Sequence, residues 1–295
     1  MRAELSGFLS RDFTGEVAPP MDLGLAPAAE YEAHQVEMND GRALQARTSS
    51  PAEFFAGHGF ALLPHETRVQ DWDRDVGSVY GPEVVDLVRK QLLPGRRVEI
   101  LQGLKVMRRG PEQRYYAQRI HADGPLTPEV YAQNIRAFGR EELVRRWERA
   151  YAREEVVGFV SIGFWRTTNM AGPLRHMPLA ICDPNSVEGK DIVPTTSRTI
   201  APAGKPTHHL VLRHNPDQSW FYYPAMTGAE VLAMTVCAFW KEDPGGRPKN
   251  VFHTAFRDPT TPTDAEPRQS CEFRVGVMIF SDRPLASLRT GITAR

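Results

Sequence analysis

The sequence predicts a mainly β protein with flanking helices, its strands forming an antiparallel barrel or jelly roll. After Val156 the chain breaks into seven short aromatic or β-branched runs separated by Gly and Pro. Helical spacing is confined to stretches ahead of them, so strands do not alternate with helices as βαβ units require.

Residues 1 to about 60 are rich in Pro, Ala and acidic side chains and lack periodicity, which predicts an arm wrapped over the core. Within them Gly59-Phe60-Ala61-Leu62-Leu63-Pro64 reads as a single strand. From Glu83 to Leu92 apolar residues recur at helical spacing, with Pro82 suited to a first turn. Residues 96 to 109 read as strand, turn and strand, and Tyr115 to Ala122 as an extended segment entering His121-Ala122-Asp123. From Thr127, a possible N-cap before Pro128, to about Glu155 the chain is rich in Ala, Arg, Glu and Leu and predicts one or two helices. The seven strands then follow at Val156–Trp165, Thr196–Ala201, His208–Arg213, Trp220–Tyr223, Glu230–Trp240, Val251–Phe256 and Ser270–Phe280. The expectation is one domain over 1–295: an arm and helix in 1–95, and a core over 96–280 with a helical insertion at about 127–155.

Lysines plus arginines number 36 and acidic residues 36, so no global field draws the chain to nucleic acid or an anionic membrane. A small-molecule partner is expected, and a homodimer is left open. The start has no apolar signal-like core, and no run approaches the roughly 18 apolar residues of a membrane span. A cytoplasmic location is expected. Cys182, Cys237 and Cys271 form no metal-binding spacing and read as small core residues.

His121 and Asp123, two apart on an extended segment, point to one face and can reach one ion. His253, on a late strand, supplies a third ligand. Two histidines and one carboxylate suit iron(II), because the triad leaves adjacent coordination positions open to a bidentate cosubstrate and dioxygen. Downstream, Arg268, Ser270, Glu272 and Arg274 share one strand parity while Cys271, Phe273, Val275, Val277 and Ile279 share the other. The apolar set is expected to pack outward and the polar set to line a cavity. A guanidinium fork with a hydroxyl beside it receives the distal carboxylate of 2-oxoglutarate. Arg268 is the first choice of anchor, and Arg274 the alternative. Trp220 and Tyr222 are weighed as a pocket wall against core packing, and Arg166 as an anion-binding residue against an ion pair. His208 and His209, adjacent and therefore facing opposite ways, are read with His176 and His214 as structural or surface residues. One of Tyr115 and Tyr116 is weighed for the pocket.

The stretches Ala117 to Asp123, Phe164-Trp165-Arg166, Pro178 to Asp183, Gln218 to Pro224, His253 to Pro259 and Pro267 to Arg274 together resemble the natural-product oxygenases of the CmcJ/NvfI, or AsaB-like, family, related to the GA4 desaturase-like proteins. The resemblance covers roughly residues 95 to 280. It implies a double-stranded β-helix (jelly roll, cupin-like) with His121, Asp123 and His253 as iron ligands and Arg268 and Ser270 at the 2-oxoglutarate end. It further implies C–H hydroxylation, desaturation or oxidative cyclisation of a small molecule, coupled to decarboxylation of 2-oxoglutarate to succinate. Gln218, where the family commonly has histidine, and Ala238-Phe239-Trp240 depart from its pattern near the expected pocket. The alternatives are a cupin-like metal enzyme without 2-oxoglutarate and a non-catalytic β-barrel subunit.

Overall fold

A computed structural model describes residues 1–20, 30–112 and 116–282, with backbone alone at 102–105. Its first elements are β1 (Arg2–Leu9), β2 (Tyr31–Asp40), α1 (Gly41–Gln45), α2 (Pro51–His58), β3 (Phe60–Pro64), α3 (Gly81–Leu87) and β4 (Val98–Arg109). There follow α4 (Pro128–Ala137), α5 (Glu141–Tyr151), β5 (Val156–Thr167), β6 (Leu179–Cys182) and β7 (Ile192–Ser197). The last are β8 (Thr207–Leu212), β9 (Trp220–Tyr222), β10 (Glu230–Trp240), β11 (His253–Ala255) and β12 (Ser270–Phe280). One sheet has the order β3-β10-β5-β12-β4 and the other β1-β2-β9-β6-β11, with β7 and β8 as a separate hairpin.

The strand β12 organises the first sheet, pairing antiparallel with β5 and with β4. Its apolar parity, Cys271, Phe273, Val275, Val277 and Ile279, is buried in one cluster with Tyr80, Val84, Leu87 and Val88 from the α3 region and Phe54 and Phe55 from α2. Each such side chain contributes roughly 1.5–3 kcal/mol by leaving water. The opposite parity, Ser270, Glu272 and Arg274, is equally buried but polar, and faces the interior between the sheets. The expected division of the two faces is therefore met.

The predicted helical insertion forms α4 and α5. Thr127 caps α4 by accepting the Val130 N–H, Pro128 fills its first turn, and Gly139 (φ 72°) follows its end. Tyr131 and Ile135 of α4, with Val144, Trp147 and Ala150 of α5, present apolar stripes at helical spacing. They pack on Phe159, Phe239, Met278 and Phe280 and so close one end of the space between the sheets. The exposed Arg136–Glu148 pair adds little.

The N-terminal region departs from the predicted arm, because β1 and β2 pair antiparallel and β2 adds to β9 as a parallel neighbour. Its apolar residues alternate (Ala3 and Leu5; Val36 and Met38), a period weakened by the bulge at Gly7. There φ is +93°, and a Cβ would stand 2.7 Å from the Arg119 Cα. Residues 96 to 109 hold one strand with a register shift, not a hairpin, and the strand expected at Thr196–Ala201 lies earlier, as β7. Strand β6 lies within the Pro178 to Asp183 motif, where no strand is predicted. The three cysteines are free and buried. Among the described residues no helix is long and apolar enough to cross a membrane.

Candidate metal centre

The His121-Ala122-Asp123 segment is threaded between two strands. His121 bridges His253 of β11, and Ala122 bridges Leu210 of β8, with Ala122 N–H donating to the Leu210 carbonyl at 2.9 Å. The alternation assumed from sequence is thus realised, and the imidazole and carboxylate emerge on one face. Gly124 lets the chain turn away against β10, since a Cβ there would lie 2.2 Å from the Val236 carbonyl oxygen.

His121, Asp123 and His253 converge, with one potential ligand atom from each lying within 4.8 Å of the others. The Nε2 atoms of His121 and His253 stand 3.9 Å and 3.7 Å from Asp123 Oδ2. The carbonyls of Arg119 and Val251 lie 2.7 Å and 3.1 Å from Nδ1 of His121 and His253. A carbonyl only accepts, so both rings carry their proton on Nδ1 and direct the Nε2 lone pair toward the carboxylate. Burial, followed by the neighbouring His253, pushes His121 down to about 3 and keeps its ring neutral. Two imidazoles and a carboxylate in a buried setting form a donor set fitted to iron(II).

Asp123 lines two cavities. The first also contains His121, His253, Arg109, Arg268, Ser270 and Trp165. Arg268 is buried, with its guanidinium 4.4 Å over the Tyr116 ring and 5.5 Å over that of Trp165. Its Nη1 donates to the Met177 carbonyl at 2.5 Å, Met177 holding a left-handed backbone (φ 52°). Burial lowers Arg268 to about 9, and among the described residues no carboxylate pairs with it. Among the described residues, Arg268 Nε and Ser270 Oγ are buried without hydrogen-bond partners. A buried cation and such a hydroxyl in the cavity that the triad also lines fit an anionic ligand.

The second cavity lies under α4 and is lined by Tyr131, Asn134, Ile135, Phe138, His209 and Val236, with Arg274 and Asp123 at its floor. His209, read from sequence as structural, is buried with Nδ1 3.5 Å from Asp123 Oδ1 and Nε2 2.9 Å from Thr207 Oγ1. Thr207 and His209, at i and i+2 on one face of β8, were the available signal. Tyr131 and Asn134 carried none, being ordinary positions on an amphipathic helix.

The remaining candidates lie elsewhere. Arg274 hydrogen-bonds Asp123 and Glu272 at 2.5 Å each and does not line the Arg268 cavity. Arg166 has the outward parity of β5 and is buried over Trp72 and Tyr80, where it bonds His65 and the Gly228 carbonyl. Trp220 is core packing, T-shaped on Phe8 at 5.8 Å, and Tyr222 packs edge-on against Phe256. Gln218 donates to the Arg213 carbonyl at 2.8 Å in a loop before β9. None of these four lines either cavity; Trp220 and Tyr222 turn from β9 into the packing of the second sheet. Tyr116 caps Arg268 and donates to its carbonyl at 2.8 Å, while Tyr115 lies outside the described residues.

A family model described as an oxidoreductase/YMDC permease-like domain matches residues 13–278. The chain belongs to that family. In fold it is similar to the iron and alpha-ketoglutarate-dependent endoperoxidase NvfI, with a TM-score of 0.69 at 19% identity over 96% of this chain and 98% of that one. A second NvfI structure, of different conformation, gives 0.69 at 20% identity over 96% and 98% of the two chains. This likeness establishes the double-stranded β-helix, and the resemblance read from sequence is met. Aspirochlorine biosynthesis protein N of Aspergillus oryzae is 28% identical over 115 residues, 38% of this chain and 45% of that protein, so the match spans less than half of that relative.

Proposed function

We propose that this chain is a cytoplasmic non-haem iron(II) and 2-oxoglutarate-dependent oxygenase, a single oxygenase domain acting on a small-molecule natural-product intermediate. The observation that carries the reading is one cavity lined both by His121, Asp123 and His253 and by the buried Arg268 and Ser270. The printed names of the relatives, an iron and alpha-ketoglutarate-dependent endoperoxidase and a biosynthesis protein, support it.

His121, Asp123 and His253 would hold the iron through Nε2, carboxylate oxygen and Nε2. Bound there with 2-oxoglutarate and dioxygen, iron would supply the oxidising power for attack on an unactivated C–H bond, the cosubstrate ending as succinate and carbon dioxide. Arg268 and Ser270 bind the distal carboxylate, and desolvation by Tyr116 and Trp165 strengthens that pairing. The cavity under α4 takes the substrate. Its apolar wall of Ile135, Phe138 and Val236 excludes water, and its floor at Asp123 sets the target carbon beside the metal. The outcome is hydroxylation, desaturation or oxidative cyclisation.

The test is an anaerobic titration of the iron(II)-protein with 2-oxoglutarate, followed by the metal-to-ligand charge-transfer absorption. Wild type develops the band. In Arg268→Ala the 2-oxoglutarate affinity falls roughly 30-fold or more, as loss of about 2 kcal/mol from a buried charge pair requires. A wild-type protein that binds iron(II) without developing the band overturns the 2-oxoglutarate reading, and one that binds no iron(II) overturns the whole.

A further inference from the structure

We propose that Arg274, braced by Glu272, is a positioning residue of the metal centre that holds the Asp123 carboxylate toward the two histidines, and that it takes no part in binding 2-oxoglutarate. The inference rests on the iron reading above.

The oxygen that Arg274 holds is the decisive detail. Its Nη2 donates to Asp123 Oδ2, the same atom that faces the Nε2 atoms of His121 and His253. The last bridge pinning this segment is at Ala122, and Gly124 follows at once, so the backbone ladder does not set the Asp123 rotamer. A fork anchored on a rigid central strand does. Arg274 Nε donates to Glu272 Oε1 at 2.5 Å, so one guanidinium spans two carboxylates, a geometry that a lysine ammonium on its flexible stem cannot copy.

Space for this brace is provided across the sheet. Arg274 is paired with Gly163 of β5, and a Cβ at Gly163 would stand 2.7 Å from Glu272 Oε1. Charge balance gives Glu272 its purpose. Arg274 alone would neutralise Asp123 and oppose a cation, whereas Glu272 offsets Arg274 and leaves the three groups a net single negative charge to meet a divalent ion. Near the other oxygen, Oδ1, stands His209 Nδ1 at 3.5 Å. Arg274 also lines the cavity under α4, while Arg268 and Ser270 line the other, so the two buried arginines serve different ends of the site.

Two variants test this. Glu272→Gln/Arg274→Gln removes both charges of the brace together, and Arg274→Lys keeps the buried charge while losing the fork, so the second carries the test if the first does not fold. Iron(II) affinity is measured by anaerobic titration, and 2-oxoglutarate affinity by the charge-transfer band at saturating iron(II). Iron(II) binding is expected to weaken about 10-fold or more in both variants, the usual effect of losing a ligand's hydrogen-bond partner, with 2-oxoglutarate affinity unchanged in Arg274→Lys, since Glu272 but not Arg274 lines the Arg268 cavity. Arg268→Ala gives the opposite split. Wild-type iron(II) affinity in a folded variant, or loss of 2-oxoglutarate binding by Arg274→Lys at saturating iron(II), overturns the inference. A wild-type protein that binds no iron(II) overturns the underlying reading instead.

Discussion

At Arg166 the side chain does what a buried guanidinium must, finding acceptors and aromatic faces, and it does so away from the active cavities. His65 Nδ1 accepts from Arg166 Nη1 at 2.9 Å, so that nitrogen must keep its lone pair, while Nε2 lies 3.5 Å from Glu83. Burial, then the charge of Arg166, holds His65 below its ordinary 6.5. Because the folded value is lowered, the unfolded chain binds more protons below about pH 6.5. His65 therefore stabilises the fold fully above that pH, and its contribution is lost as pH falls below it. Urea unfolding between pH 7.5 and 5 is expected to show this loss, and His65→Gln, which keeps an acceptor but cannot titrate, to flatten it. An identical slope in the variant would exclude His65 as the source.

Helix α4 is the element that converts a barrel into a barrel with a roofed cavity. It is held by its apolar stripe and by Asn134, whose carboxamide both donates to the His208 carbonyl at 2.9 Å and accepts from the His208 N–H at 2.7 Å. That double bond ties the roof to β8, the strand carrying His209. Asn134→Ala leaves two backbone groups of β8 without these partners, and its unfolding free energy is expected to drop by about 1–3 kcal/mol. Hydrogen exchange at His208 should rise with it. Unchanged exchange would mean that the stripe of Tyr131 and Ile135 alone docks the helix.

For the whole molecule, the three ligand positions come from distant parts of the chain. Residues 121 and 123 lie between β11 and β8, and His253 lies on β11 itself, while the Arg268–Ser270 end belongs to the opposite sheet. A ligand that bridges these parts binds only the folded state, so occupancy adds directly to stability. At iron(II) and 2-oxoglutarate concentrations near 100 times their dissociation constants, each is expected to add about 2.7 kcal/mol, raising Tm by several degrees. Anaerobic calorimetry with and without chelator reads this out. A Tm indifferent to iron(II) would contradict a metal centre assembled from distant parts of the chain.

How far the sequence reached depended on how local the information was. Strands β5, β8, β9, β10, β11 and β12 were legible because β-branched and aromatic runs between turn residues state their own period, and β12 even declared which parity faced inward. The HxD spacing, the distal histidine and the Arg-x-Ser were legible because chemistry restricts which side chains can do those tasks. Positions whose meaning comes from packing were not legible. Nothing near Arg274 in sequence indicates that it grips Asp123, because that contact joins residues 151 apart. The same holds for the roof formed by Tyr131 and Asn134, for His209 at the cavity floor, and for the turning of Trp220, Tyr222 and Arg166 away from both cavities. Composition and periodicity determined that a mainly β core, barrel or jelly roll, would form, with a late strand polar on its inner face. Only the crossing of the 119–124 segment between strands decided which polar side chains met there.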